Sequence, residues 1–205
     1  KNRVRLGVHI RKPLALLTAT AMAALLAGCL IPERFTAKVD VHPDASFSYL
    51  FEGTALDAMG MMKLRKQGLL SEKDHQGLTT EEQQMSGEPD VKKAVYNGNA
   101  RFTLEIAGQR IAGESLRLLD MFSVQTDRDG VMTIAAKPLK EKEKSDFSQL
   151  GINVNGKLKV RLPSNAEVIS QNASATPVLG IGSYSWKIGG IGVRPEIKLR
   201  FKPAS

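Results

Sequence analysis

Few residues in this chain are of a type and spacing that does chemistry. The single cysteine among its 205 residues, Cys29, closes the stretch Leu26-Ala27-Gly28-Cys29 at the end of an apolar run. A lone thiol forms no intrachain disulfide, and the small residues before it have the character of a cleavage site. Of the three histidines, His9 precedes this stretch, while His42 and His75 lie in polar contexts, so the usual His and Cys set of a zinc site is missing. His42, beside Pro43, reads as a solvated turn residue. Asp127-Arg128-Asp129-Gly130 offers two carboxylates, but a calcium loop of the EF-hand type needs further acids and a closing bidentate Glu. We read it as a hairpin turn. There is no Gly-x-Ser-x-Gly elbow and no Walker loop, and Gly180-x-Gly182 lacks the third glycine of a dinucleotide fingerprint. Carboxylate pairs for glycoside cleavage meet in space rather than along a chain, and nothing here nominates one. No cofactor and no metal are expected.

The elements before Cys29 explain its setting. Lys1, Arg3, Arg5, Arg11 and Lys12 form a basic start without an acid, and Pro13 opens an apolar segment from Leu14 to Gly28. Charged region, apolar region and small-residue end are those of a secretory signal. A retained membrane helix is the rival, since a span takes about 20 apolar residues; Thr18, Thr20 and the Ala27-Gly28-Cys29 end speak for cleavage. The stretch Leu26-Ala27-Gly28-Cys29 resembles the lipobox of bacterial lipoproteins. That resemblance implies diacylglycerol on the Cys29 sulfur, cleavage between Gly28 and Cys29, and usually acylation (palmitate or similar) of the new amino group. Each buried acyl methylene contributes about 0.8 kcal/mol, so two or three chains make a lasting anchor. Leu30 follows the cysteine where an Asp commonly retains lipoproteins in the inner membrane. The resemblance therefore implies the periplasmic face of the outer membrane.

The expected organisation is a signal over 1–28, a short tether over 29–34 and one periplasmic domain over 35–205. The six-step tether reaches on the order of 20 Å when extended. The leader takes five of the 29 basic residues and none of the 21 acids, so the excess of eight positive charges falls to three. Nucleic acid asks for a stronger footprint, so the expected partners are the membrane, through acylated Cys29, and a lipid or an envelope protein. Aromatics are 5% of the chain, which points to a largely aliphatic core.

Phe35, Ala37, Val39 and Val41 alternate with polar residues, and Phe47, Tyr49 and Phe51 continue after a Pro43-Asp44-Ala45-Ser46 turn, which predicts a hairpin over Phe35 to Glu52. Ala55 to Gln67 has helical spacing with Leu56, Met59 and Met62 toward the core. Met59, Met61 and Met62 are either core packing or an adaptable apolar surface for a ligand. Two short surface helices are expected between Gly68 and Asp90, with N-caps at Ser71 and at Thr79 or Thr80. Hairpins follow around Asn97-Gly98 and Asp127 to Gly130. Alternating charges from Lys140 to Lys144 mark a solvated face, and Ser145 to Leu150 a short helix ending at Gly151.

In the last quarter Lys157, Lys159 and Arg161 alternate with Leu158, Val160 and Leu162, and Lys198, Arg200 and Lys202 with Ile197, Leu199 and Phe201. These cations either solvate the sheet and guard its edges or meet anionic headgroups. Were the two strands neighbours, six cations would line one face. The apolar connection holding Leu179 and Ile181 is a buried corner or a loop touching lipid or a partner; exposure of such a loop is costly, which favours the corner. The run Leu162-Pro163 to Val168, then Asn172-Ala173-Ser174 and Tyr184-Ser185-Trp186-Lys187-Ile188, resembles the closing segment of LppM-like lipoprotein domains. That resemblance implies an α+β domain with a curved sheet and a lipid-like ligand. The order of hairpins and short helices also predicts α+β, with a mostly antiparallel sheet. The function expected is a non-enzymatic binding or assembly role at the membrane surface; the alternatives are a small envelope hydrolase with a carboxylate- or Ser-based site and a structural subunit of an envelope complex.

Overall fold

The computed structural model describes residues 30–137, 139–179 and 181–202. The expected cleavage and lipidation residues, Gly28 and Cys29, lie outside the described residues. Strands β1 (Leu30–Val41) and β2 (Phe47–Asp57) open the fold, followed by helices α1 (Ala58–Gln67) and α2 (Glu72–Ser86). Next come β3 (Val91–Tyr96), β4 (Arg101–Arg110), β5 (Leu116–Leu118), β6 (Phe122–Thr126) and β7 (Met132–Ala136). Helix α3 (Glu141–Gln149) leads to β8 (Asn155–Arg161), β9 (Ala166–Gln171), β10 (Tyr184–Ile188) and β11 (Glu196–Phe201).

The strands form two sheets, a six-stranded one in the order β10-β8-β1-β2-β4-β3 and a five-stranded one in the order β5-β6-β7-β11-β9. All pairings are antiparallel except β1 with β8. The α+β class therefore holds. The single sheet expected is instead two facing sheets, because the last quarter is divided: β8 and β10 join the larger sheet, β9 and β11 the smaller.

Local signals account for most elements. Phe35, Ala37, Val39 and Val41 face inward on β1, as do Phe47, Tyr49 and Phe51 on β2. Their turn is held by Asp44, whose carboxylate accepts the Ser46 N–H at 3.0 Å. The 29–34 tether is corrected from Leu30 onward. Leu30, Ile31 and Pro32 are already strand, paired with Asp57, Leu56 and Ala55, because two apolar side chains there gain more from burial than from water. One helix, not two, fills the segment before β3. Ser71 caps it by accepting the Asp74 N–H at 3.2 Å while the Asp74 carboxylate accepts the Ser71 N–H at 3.1 Å. Thr80 is interior to it, its hydroxyl donating to the Gln76 carbonyl at 2.9 Å.

The core fills the space between the sheets. Phe35 stacks on Phe51 of its own sheet at 5.4 Å and meets Phe122 of the other edge-on at 5.6 Å. Gly156 makes room for that ring, since a Cβ there would lie 2.5 Å from Phe35 Cε1. Asn172 joins the layers through polar contacts. Its side-chain oxygen accepts from Trp186 Nε1 in the larger sheet and from the Glu196 N–H in the smaller, both at 2.8 Å.

Candidate functional site

Where the inner face of the larger sheet is not covered by its partner, a cavity of about 530 Å3 remains. Leu104 and Ile106 from β4 and Leu30 and Ile31 from β1 contribute apolar lining, opposed by Leu116 to Phe122 of the smaller sheet and by Phe147 of α3. On β4 the inward residues alternate, as pleating requires, whereas on β1 Leu30, Ile31 and Pro32 all line the cavity, ahead of a register irregularity between Pro32 and Arg34. The short edge strand β5 (Leu116–Leu118) of the smaller sheet and β4 of the larger both contribute to this lining.

Charged groups stand at the cavity's edges in pairs. Asp90 accepts from Tyr49 Oη and from Arg110 Nη2, both at 2.6 Å, and the guanidinium lies 5.1 Å from the centre of the Tyr49 ring. Partial burial opposes ionisation of Asp90, but the hydrogen bonds from Arg110 and Tyr49 outweigh it and hold the carboxyl below its usual range. Burial, and then the bond to Asp90, push the Tyr49 hydroxyl upward. At another edge Lys137 donates to Asp120 at 2.5 Å, and this bond raises the lysine's pKa. Asp146 is taken by Lys142 at 2.7 Å. These carboxylates are engaged with cations. An apolar interior with a few fixed polar groups is the usual make-up of a small-molecule site. Among the described residues there is no cluster of His, Cys, Asp or Glu able to hold a metal.

The residues singled out from the sequence are not brought together. Met59, Met61 and Met62 do not line the cavity. Met61 is buried under α1 while Met59 and Met62 are exposed, the reverse of the expected face. The reason is Gly60, against which Ala100 packs so closely that a Cβ would come within 2.6 Å of the Ala100 Cβ; this contact turns Gly60 and Met61 toward the sheet. Leu179 and Ile181 do not form a buried corner but sit at an exposed hairpin tip. Lys157, Lys159 and Arg161 lie on the outer face of the larger sheet, whereas Lys198, Arg200 and Lys202 belong to β11 and its end in the smaller one. The six cations therefore do not share a face. On β11, Lys198 pairs with Glu196 at 3.6 Å and Arg200 stands opposite Glu167 of β9.

The lining residues carried no signal along the chain. Alternation shows that Leu104 or Leu116 points inward, but not whether a neighbour or a void meets it. The Tyr49, Asp90 and Arg110 group joins three positions that only sheet pairing makes adjacent.

No protein-family model matches the chain, and no curated protein sequence matches it. Among solved structures, the chain is similar to the NMR structure of the folded domain of LppM from Mycobacterium tuberculosis, with 14% identity over 85% of this chain and 92% of that one, at a TM-score of 0.40.

Proposed function

We propose that this protein is a non-enzymatic, lipid-anchored protein of the cell envelope that takes the apolar chain of a lipid-like molecule into the cavity between its sheets. The observation that carries this is the cavity itself, about 530 Å3 and predominantly apolar, within the range of small-ligand sites. Each methylene transferred from water to such a lining contributes about 0.8 kcal/mol, so a chain of moderate length is held without any ion pair. The fixed polar group of Tyr49, Asp90 and Arg110 would then orient the ligand's polar end. Attachment through acylated Cys29 fits the geometry, because Leu30, the next residue, already lines the cavity. The residue after the cysteine being Leu30 rather than Asp favours the outer membrane and its periplasmic face.

The test is native mass spectrometry of the chain from Leu30 onward, purified from cells. One lipid-sized adduct is expected, displaced by a fluorescent fatty-acid probe. Ile191→Trp, at a half-buried lining position, should fill the space and cut probe binding at least tenfold with the fold intact. A bare mass together with no probe uptake would falsify the reading. The anchor is tested separately, by the intact mass of the membrane-extracted protein against Cys29→Ser.

A further inference from the structure

The outer face of the larger sheet carries a cluster of cations, bordered on β2 by the single exposed acid Glu52 opposite Thr36, that the core and the cavity do not use. By register, Thr36, Lys157 and Lys187 form one cross-strand row on β1, β8 and β10, and Lys38, Lys159 and Ser185 the next. Arg34 extends the same face of β1, and all of these side chains alternate with buried ones. Among the described residues Arg34, Lys38, Lys157, Lys159 and Lys187 have no ion-pair partner, while Arg161 is paired with Asp40 at 3.2 Å. With strands about 4.8 Å apart and a rise near 3.3 Å per residue, the five cations fall within roughly 10 by 13 Å.

A second, independent feature rises from the same edge. β10 is the outermost strand of the larger sheet, and a tight hairpin precedes it, its stem closed by the Ser185 N–H donating to the Ala175 carbonyl at 2.9 Å. At the tip the Ile181 N–H donates to the Val178 carbonyl at 2.9 Å. Val178, Leu179 and Ile181 are 74%, 95% and 81% exposed there. Three neighbouring apolar side chains in water are unfavourable unless something apolar receives them.

We propose that this face docks on an anionic lipid bilayer, the five cations meeting headgroups and the Val178, Leu179 and Ile181 tip entering the acyl boundary. The chemistry selects a bilayer over a soluble polyanion because a polyanion satisfies the cations and leaves the tip in water. Arg34 lies toward one end of β1 and the tip beyond the other, so engaging both requires the sheet to lie flat on the surface. The proposal stands without the cavity: it concerns the opposite face of the sheet.

The experiment uses the chain from Leu30 onward, which holds every element and the whole core described above. Vesicles of phosphatidylcholine are compared with vesicles containing phosphatidylglycerol. Binding is expected to the anionic vesicles alone and to weaken with salt. A cation near such a surface strengthens binding roughly fivefold, so Lys157→Gln, Lys159→Gln and Lys187→Gln together should weaken it about a hundredfold. Leu179→Asp with Ile181→Asp should lose at least tenfold, and Ile181→Trp should be quenched by brominated acyl chains. The emission of buried Trp186 in the variants without a new Trp checks that they remain folded. No binding to anionic vesicles, binding that neither set of substitutions alters, or capture by soluble polyphosphate with Ile181→Trp unquenched on vesicles would each overturn the proposal. None of these outcomes bears on an adduct in the cavity, so the two readings fail separately.

Discussion

Glu81 is the side chain least at ease in the fold. Its Oε1 is buried without a hydrogen-bond partner among the described residues, and burial, then the nearby Asp57 charge, raise its pKa above the ordinary carboxylate value. An acid whose folded value lies above its unfolded one binds more protons in the native state, so stability falls as pH rises through that range. Glu81→Gln should therefore raise Tm by about 2 °C at neutral pH, the gain shrinking toward pH 4 as the wild-type carboxyl takes up its proton. Thermal scans at the two pH values check this, and an equal gain at both would point to packing instead. Asp90 behaves in the opposite sense. Its lowered pKa stabilises the fold at neutral pH, and that contribution disappears as pH falls through the folded value, below 3.8. Asp57 is buried because its carboxylate caps α1, accepting the Gly60 N–H at 2.6 Å. Asp57→Ala should cost about 1 kcal/mol in urea unfolding, while Asp57→Asn, which keeps an acceptor and removes the charge facing Glu81, should cost less.

At the scale of elements, side chains too small to show in a hydrophobic pattern set the orientation. Helix α1 could turn either of two apolar stripes inward, and the approach of Ala100 to Gly60 decides for Met61. Gly60→Ala should force the helix away from β4 and lower stability by about 1–3 kcal/mol, as overpacking does, despite the better helix propensity of alanine. Gly156→Ala tests the same rule in a strand, against the Phe35 ring. Chemical denaturation measures both; a gain in stability for either would show the close approach to be slack.

Across the whole molecule the two sheets share one core, so they should unfold together. Trp186 emission reports the larger sheet, and far-UV dichroism both; coincident urea transitions are expected of a single cooperative unit. Phe122→Ala removes the ring that meets Phe35 across the layers and should cost about 3–5 kcal/mol. Asn172→Ala should cost less, about 1–3 kcal/mol, and shift Trp186 emission because the indole N–H loses its partner. Separate transitions for the two probes would mean the layers are only loosely joined.

The amino-acid order by itself determined the α+β class, the hairpins at Asn97-Gly98 and Asp127 to Gly130, and the inward rows of Phe35 to Val41 and Leu158 to Val160, because alternation and turn chemistry are settled by neighbours along the chain. It also showed that Lys157, Lys159 and Arg161 point away from the core. It did not show that Lys198 and Arg200 belong to another sheet, that Leu30 is already strand, or that Leu179 stands in the open. Tertiary structure alone decided those, together with the turn of α1 and the cavity. Sheet membership depends on pairing between distant segments, and a void depends on which element fails to arrive; neither leaves a periodic trace in the chain that lines it.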